Sequence, residues 1–280
     1  MNLQMTDVLV ITGTTGFLGN LVLSLSLEQL GKKFGTVVSV DRFETCKLYS
    51  TSNCKTIPIS GLKEITRGNE NCLIHLATAY IPLPNTAEKM QAISEANLLF
   101  GSRVLEAVDG ISKMINIKSY LELLPAVLQN EYSLSKLMFS KYCNNQNIPI
   151  TEIVLFDTFG VTDTRGKVVS TFIKKIKKGE QISIPNNDIH INLTKGTIVA
   201  SAILNALSYP DGIYTAKNKS DITLVGLIEV LEKHLSKKAK VERLTDKIDL
   251  IRCIDNLPVN IIDYCKQNLF DDLKFQTLCN

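Results

Sequence analysis

Three glycines near the start of the chain, spaced GxxGxxG, constrain the fold more than any other feature. Gly13, Gly16 and Gly19 lie between the apolar run at residues 8–12 and the start of a helical pattern. Gly13 permits a tight turn out of a strand, Gly16 lets the backbone approach a pyrophosphate, and Gly19 lets the helix pack closely on the sheet. The helix N-terminus then offers free N–H groups and a partial positive charge to phosphates. The segment therefore predicts a dinucleotide-binding strand, turn and helix.

Short apolar runs alternate with longer helical patterns through the first half of the chain. The predicted strands are residues 7–12, 36–40, 55–59, 72–76, 113–117 and 150–156, and the predicted helices are residues 17–30, 88–108 and 132–144. This alternation is typical of βαβ units around a parallel sheet that helices cover on both faces. The predicted fold class is therefore α/β, with a Rossmann-type doubly wound parallel sheet.

The order of elements loosens after about residue 160. Helical patterns follow at residues 168–178, 197–207 and 223–235, with a further strand at residues 212–216. We predict a Rossmann domain at residues 1–160 and a smaller, interleaved substrate-binding part at residues 161–280. The chain is expected to return to the Rossmann domain near residues 192–217.

Charge and cysteine content narrow the class of protein. The 31 basic and 28 acidic residues are spread along the chain, so nucleic acid is not expected as a partner. The seven cysteines are scattered without a CxxC pair, which argues against a disulfide framework and a zinc site, and no metal is expected. The run at residues 8–12 is too short to span a bilayer, and no signal peptide precedes it. We expect a cytoplasmic protein that does not bind membranes.

An acidic residue at the end of the second predicted strand bears on the choice of cofactor. Asp41 stands 22 residues after Gly19, where a carboxylate can accept hydrogen bonds from the adenosine ribose hydroxyls of NAD. Arg42 next to it can instead pair with the 2′-phosphate of NADP. The expected cofactor is NAD or NADP, with a slight preference for NAD.

A tyrosine and a lysine four residues apart share one face of the helix predicted at residues 132–144. An ordinary tyrosine has a pKa near 10 and transfers protons poorly at neutral pH. The cation of Lys136 and an oxidised nicotinamide would favour the phenolate of Tyr132 and lower its pKa. Ser119, just after a predicted strand, can hold the substrate oxygen. These residues predict hydride transfer between the cofactor and a carbonyl or alcohol, with Tyr132 moving the proton.

The chain resembles the extended short-chain dehydrogenase/reductases, in particular the nucleotide-sugar epimerases, dehydratases and reductases. The resemblance covers about residues 6–235. It depends on residues 12–19, Asp41, residues 75–77, Asn97, residues 103–106, Ser119, Tyr132, Lys136 and the stretch 159–167, which is similar to the family's YGPxDxRGK.

The resemblance implies a role for each matching residue. Catalysis is expected of Tyr132, Lys136 and Ser119, and substrate binding of Tyr80, Ser119, Asp157 and Arg165. The implied cofactor-binding residues are Gly13, Thr15, Gly16, Phe17, Leu18, Gly19, Asp41, Arg42, Ala77, Asn97 and Lys136. Family members often dimerise through a four-helix bundle that includes the Tyr/Lys helix, and the apolar pattern of residues 88–108 suits a homodimer.

Departures from the family narrow the expected reaction. Sugar-nucleotide 4,6-dehydratases carry Thr-Asp-Glu around the catalytic hydroxyl, where this chain has Ser119-Tyr120-Leu121-Glu122, so dehydration is not expected. The short gap between Ser119 and Tyr132 is similar to that of reductases and synthases of CDP-linked dideoxyhexoses such as paratose or abequose. The resemblance implies reduction of a nucleoside-diphosphate 4-keto-6-deoxy sugar for surface-polysaccharide synthesis. An epimerase that retains NAD, and a non-catalytic dinucleotide-sensing regulator, are the alternatives.

Two further departures concern the substrate. Asp157 stands where many relatives have Asn or His, and residues 188–193 lack the arginine that often clamps the nucleotide pyrophosphate. Arg165, or the lysines at positions 174, 175, 177 and 178, are expected to supply that charge.

Overall fold

The computed structural model describes residues 7–41, 54–81, 86–124, 129–218, 220–245 and 260–261. The strands are β1 Val8–Thr12, β2 Thr36–Val40, β3 Lys55–Ile57, β4 Asn71–His75, β5 Ile111–Ser119, β6 Ile150–Leu155, β7 Asp157–Phe159, β8 Gln181–Ile184, β9 His190–Ile191, β10 Leu193–Lys195, β11 Gly212–Thr215, β12 Ile222–Thr223, β13 Lys240–Arg243 and β14 Asn260–Ile261. The helices are α1 Phe17–Lys33, α2 Leu62–Thr66, α3 Ala87–Ser94, α4 Phe100–Ala107, α5 Glu131–Asn144, α6 Val168–Lys178, α7 Gly196–Asn205 and α8 Leu224–Leu235.

One parallel sheet organises the molecule. Its strands lie in the order β3-β2-β1-β4-β5-β6-β11, and the two-residue β14 pairs with β11 at the edge. The chain leaves β1 towards β2 and β3, then returns to the other side of β1 as β4. The order therefore reverses between β1 and β4, where ligands of open α/β sheets bind beyond the carboxyl ends of the strands. The predicted fold class is confirmed.

The central strands β1, β4 and β6 bury both faces because helices cover the sheet on both sides. On β1, Leu9 and Ile11 belong to the core that includes side chains of α1 and α7. Val8 and Val10 belong to the opposite core, with side chains of α4 and α5. A third apolar core joins α6, α8 and β8 outside the main sheet. The continuous apolar runs read from the sequence thus reflect burial on two faces.

The helix predicted at residues 88–108 is divided in the structure. A π-helical turn, Glu95–Leu99, separates α3 from α4 and carries the buried Asn97. A π turn adds one residue to a helical turn and is often found at functional sites. The paired strands β8 and β13 were not predicted. All four residues of β13 are exposed and give no apolar alternation, and β8 alternates over only four residues.

The later part of the chain contributes to the main sheet as well as to the third core. Helix α7 packs against α1, and β11 pairs with β6. The division of the chain at residue 160 stays a prediction. Arg42, predicted to contact the cofactor, lies outside the described residues.

Gly19 allows α1 to lie directly on the turn that precedes it. A Cβ atom at Gly19 would lie 2.6 Å from the Cα of Thr14 and would also overlap the carbonyl of Gly13. Both neighbours are backbone atoms that cannot rotate away, so the close approach requires glycine.

We expect Gly19→Ala to destabilise the protein by about 1–3 kcal/mol, because the added methyl group must push α1 away from the turn. Gly61→Ala is the matched control, since the nearest atoms to a Cβ there lie at 4.0 Å. Urea unfolding of both variants measures the difference. Equal stability of the two variants would contradict the proposed packing.

Candidate active site

The glycine turn, residues 13–16, lies in close contact with the backbone that follows β4. Gly13 has a φ of +70°, and a Cβ atom there would lie 2.6 Å from the backbone nitrogen of Ala77. Gly16 precedes α1, its N–H donates to the carbonyl of Gly13 at 3.0 Å, and no side chain caps the helix at Gly16. The first N–H groups of α1 therefore have no side-chain cap at Gly16, and they follow directly on the carboxyl end of β1, as a site for phosphates requires.

Asp41 lies beside this turn at the end of β2. Its carboxylate accepts a hydrogen bond from the hydroxyl of Thr15, with 2.7 Å between the oxygens. The bond fixes the carboxylate next to the glycine turn, where the ribose of a dinucleotide is expected.

A buried histidine ties β1 to β4 below the turn. The hydroxyl of Thr12 lies 2.9 Å from Nδ1 of His75 and accepts hydrogen bonds from the backbone N–H groups of Leu76 and Ala77, each at 3.2 Å. Burial, together with the nearby charge of Lys136, lowers the pKa of His75 to about 3. The imidazole is therefore neutral at physiological pH and serves to hold the end of β4.

Asn97 fastens the segment that follows β4. Its side-chain carbonyl accepts from the backbone N–H of Ala79 at 2.6 Å and from the hydroxyl of Thr78 at 3.1 Å. Its amide donates to the carbonyl of Ala79 and to the hydroxyl of Ser135, both at 3.0 Å. Because Ser135 lies on α5, Asn97 links the post-β4 segment to the helix that carries Tyr132.

One cleft at the carboxyl ends of β4, β5 and β6 collects most of the predicted catalytic and substrate residues. It has a volume of about 190 Å³. The predicted residues on its wall are Leu18, Tyr80, Ser119, Tyr132, Lys136, Asp157 and Arg165. The remaining lining residues include Thr78, Tyr120, Phe156 and Lys167.

The phenol of Tyr132 is protonated in this cleft at neutral pH. Burial and the carboxylate of Glu122 raise the pKa of the phenol to about 12, although hydrogen bonds with the side chains of Thr78 and Ser119 favour the phenolate. The sequence predicted a lowered pKa, caused by Lys136 and an oxidised nicotinamide. The protein's own groups act in the opposite direction because desolvation penalises the phenolate more than the neighbouring donors and cations stabilise it.

Lys136 lies one helical turn after Tyr132 and is buried. Burial lowers the pKa of its ammonium group, whereas the carboxylates of Glu122 and Glu152 raise it. In the described part of the chain no carboxylate forms a salt bridge with Lys136. Its ammonium therefore remains available to the cleft.

The far side of the cleft carries charge of both signs. The guanidinium of Arg165 makes a two-pronged contact with Asp163 at 2.7 Å on each arm and donates to the hydroxyl of Thr158 at 2.9 Å. Lys167 lies 4.0 Å from the ring centre of Tyr80 and forms no salt bridge with a described residue. Burial raises the pKa of Asp157, and the cations of Lys167 and Arg165 oppose that shift.

Several predicted residues lie outside the cleft wall. Phe17 packs under Arg165, whose guanidinium lies 4.5 Å from the ring centre, and Ala77 and Asn97 lie behind the wall. None of the lysines on α6 is part of the wall.

Sequence reasoning missed five polar residues at or below the cleft: Thr78, Lys118, Glu122, Glu152 and Lys167. Lys118 and Glu152 offered a signal, because a charged residue inside an apolar strand that is covered on both faces must find a buried partner. Thr78 gave no comparable signal.

Within the described residues, no group of three or more His, Cys, Asp or Glu side chains is arranged to hold a metal ion. Over the same residues, no helix combines the length and the apolar character that a membrane span requires.

The strand order, the glycine turn and the Ser119, Tyr132 and Lys136 cleft define a short-chain dehydrogenase/reductase. The model of the NAD dependent epimerase/dehydratase family matches residues 9–190, which is more than half of the chain. The protein therefore belongs to the NAD dependent epimerase/dehydratase family. The predicted family, the enzyme class and the nicotinamide dinucleotide cofactor are confirmed.

The individual relatives share a quarter or less of their residues with this chain. A CDP-abequose synthase from Yersinia pseudotuberculosis is 24% identical over 229 residues, which cover 77% of this chain and 78% of that protein. The UDP-glucuronic acid 4-epimerase of Bacillus cereus, solved with UDP-glucuronic acid and NAD, superposes with a TM-score of 0.77 at 18% identity, covering 97% of this chain and 98% of the other. The Thermus thermophilus UDP-glucose 4-epimerase in complex with NAD gives 0.73 at 16% identity, with coverages of 97% and 98%. The solved structures support the fold.

The raised pKa of Tyr132 gives a direct test in the absence of ligands. We expect no phenolate from Tyr132 at pH 10, where an ordinary tyrosine is half ionised, because its pKa in the folded protein is about 12. Ultraviolet titration of the wild type and of Tyr132→Phe isolates this residue by difference. In urea the same difference is expected to show ionisation near pH 10, and ionisation of Tyr132 below pH 10 in the folded protein would contradict the site geometry.

Proposed function

We propose that this enzyme uses NADH to reduce the carbonyl of a nucleoside-diphosphate 4-keto-6-deoxy sugar, a step in the synthesis of surface polysaccharide. The observation that carries the proposal is the cleft that brings the phenol of Tyr132 together with Ser119, Thr78 and Lys136. The phenol is protonated at neutral pH. Reduction of a carbonyl needs an acid for the oxygen that gains negative charge. An epimerase needs a base in its first step, because it must remove a proton from an alcohol before it can oxidise it. A phenol that is protonated at neutral pH can supply that proton directly, which favours reduction.

The residues present suit a dinucleotide. The N–H groups at the start of α1 and the glycine turn would hold the pyrophosphate, and Asp41 would hold the adenosine ribose. Lys136 would bind the nicotinamide ribose. The reduced nicotinamide, when bound, supplies the hydride that adds to the carbonyl carbon.

The chain's own residues then complete the reaction. Ser119 donates a hydrogen bond to the substrate oxygen and fixes it near Tyr132. Tyr132 transfers its phenolic proton to that oxygen. Lys136 stabilises the resulting phenolate with its positive charge, and the phenolate regains a proton before the next turnover.

A preference for NAD over NADP is part of the proposal. The carboxylate of Asp41 is held by Thr15 at the glycine turn. A second negative charge at the ribose, such as the 2′-phosphate of NADP, would repel it. The relative rates with NADH and NADPH test this preference.

Lys167 is proposed to bind the anionic part of the substrate. The sequence favoured Arg165 or the lysines of α6 for this task. Arg165 is already paired with Asp163, whose side chain is only 2% exposed. Lys167 lines the same cleft and forms no salt bridge with a described residue, so its charge is available to a diphosphate.

The test of the reaction is turnover with a panel of nucleoside-diphosphate 4-keto sugars, followed by the loss of reduced nicotinamide absorbance. We expect stoichiometric consumption of NADH, and we expect Tyr132→Phe to lower kcat by about 10²–10⁴-fold because the proton donor is lost. Tyr142→Phe on the same helix is the matched control, since the hydroxyl of Tyr142 donates to the exposed Glu106 and Tyr142 does not line the cleft.

Other outcomes would replace the proposal. Tightly bound NAD in the purified protein, with interconversion of sugar epimers and no net use of NADH, would identify an epimerase. Full retention of activity and biological effect in Tyr132→Phe, with dinucleotide binding intact, would identify a sensing protein.

We further propose that the enzyme is a homodimer and acts in the cytoplasm. Large apolar side chains are exposed on neighbouring helical segments: Met90 on α3, Leu99 on the π turn, and Leu134 and Met138 on α5. A monomer rarely leaves such side chains together on one face in water, and a second copy of the same face would cover them.

Met138→Glu is expected to convert the dimer to a monomer, because Met138 is 56% exposed and a carboxylate there would be buried at the interface. Leu25→Glu on α1 is the control, since Leu25 is also exposed but lies on the opposite face of the sheet. Light scattering after size-exclusion chromatography measures the mass. A wild-type monomer, or an unchanged dimer in Met138→Glu, would contradict the proposed interface.

A further inference from the structure

A cluster of four buried charges lies beneath the cleft: Lys118, Glu122, Lys136 and Glu152. Lys118 and Lys136 also line the cleft wall, whereas the two carboxylates do not. The ammonium of Lys118 on β5 lies 3.3 Å from Oε2 of Glu152 on β6 and 3.8 Å from Oε2 of Glu122. The side chains of Lys118 and Glu152 are 7% and 6% exposed, and that of Glu122 is fully buried. With Lys136 the cluster holds two positive and two negative charges. Such burial is tolerated only when the charges balance each other.

Glu122 contacts two separate parts of the catalytic site, the turn at Ser119 and helix α5. Its Oε1 accepts a hydrogen bond from the backbone N–H of Ser119 at 2.6 Å. Its Oε2 accepts from the hydroxyl of Ser140 at 3.3 Å. Ser140 stands one helical turn after Lys136, which stands one turn after Tyr132, so all three share one face of α5. One carboxylate therefore joins the Ser119 turn to the Tyr132 and Lys136 helix.

We infer that Glu122 is a positioning residue of the catalytic site, which fixes Ser119 and α5 relative to each other and supplies the negative charge that balances Lys136. The inference rests on the proposed roles of Ser119, Tyr132 and Lys136. Lys118 and Glu152 form the second pair that keeps the cluster neutral. Glu152 has no comparable contact with the catalytic residues, because it bonds to Lys118 and, at 3.4 Å, to Asn116.

The charges facing each titrating group give the direction of the effect. Tyr132 is influenced by Glu122, which raises its pKa, and by Arg165, which lowers it. For Lys136, burial and the cation of Lys118 lower the pKa, whereas the carboxylates of Glu122 and Glu152 raise it. Burial raises the pKa of the neighbouring Cys143 thiol to about 12, so Cys143 carries no charge at neutral pH. Loss of the Glu122 charge therefore lowers the pKa of both the phenol and the ammonium. A reductase that needs both groups protonated would then lose activity at a lower pH.

The experiment compares Glu122→Gln with Glu152→Gln, which removes the other carboxylate of the cluster. Ultraviolet titration of each variant, paired with the same variant carrying Tyr132→Phe, reports the ionisation of Tyr132 without substrate or dinucleotide. We expect Glu122→Gln to move that ionisation about one pH unit lower, and Glu152→Gln to move it much less. The alkaline limb of kcat/KM is expected to shift in the same direction in Glu122→Gln.

Unchanged titration of Tyr132 in folded Glu122→Gln, or an equal shift in Glu152→Gln, would overturn the inference. If Glu122→Gln does not fold, Lys118→Met/Glu122→Gln removes one charge of each sign, leaves the cluster neutral and is expected to show the same early ionisation. Because the titration requires no substrate, its failure counts against Glu122 alone. If the enzyme does not consume NADH with any of the sugars, the proposed reaction is wrong, but the titration still tests the role of Glu122.

Discussion

The contact between the glycine turn and the end of β4 is the constraint on which the rest of the site depends. Gly13 approaches the backbone of Ala77 so closely that no side chain fits between them, and Thr12 bonds to the two N–H groups that follow β4. This contact brings the N-terminus of α1 to the point where the strand order reverses. Leu18 at the start of α1 and Leu76 and Thr78 after β4, on either side of this contact, line the cleft.

Burial also determines which groups in the cleft carry charge. Burial raises the pKa of Tyr132 and lowers that of Lys136, so each group is pushed towards its neutral form. The carboxylate of Glu122 raises both pKa values. It therefore keeps the ammonium of Lys136 charged and the phenol of Tyr132 protonated. A protonated phenol beside a cation results, which suits a site that must deliver a proton and then stabilise the phenolate that remains.

The fold was largely predictable from the sequence because its signals are local. Continuous apolar runs in β1, β2 and β4 reflect burial on both faces, and the spacing of Tyr132 and Lys136 places them on one face of α5. The charges of Lys118 and Glu152 inside apolar strands signalled buried partners, but the sequence did not identify those partners. Lys118, Glu122 and Glu152 meet only through the pairing of β5 with β6 and the turn after β5. The pairing of Arg165 with Asp163 was likewise hidden, since it depends on how the loop after β7 closes. Local sequence patterns predict individual strands, helices and motifs, whereas contacts between residues far apart in the chain depend on the tertiary structure.

The π turn at Glu95–Leu99 makes the helical layer sensitive to insertions and deletions. Removing one residue there would let the turn close as an ordinary α-helix, and the residues of the turn itself would change position relative to α3. Asn97 would then no longer reach Thr78, Ala79 and Ser135 from a single position. In this stretch the length of the chain is thus as tightly constrained as its composition, and sequences that differ by one residue here are expected to hold the post-β4 segment by other means.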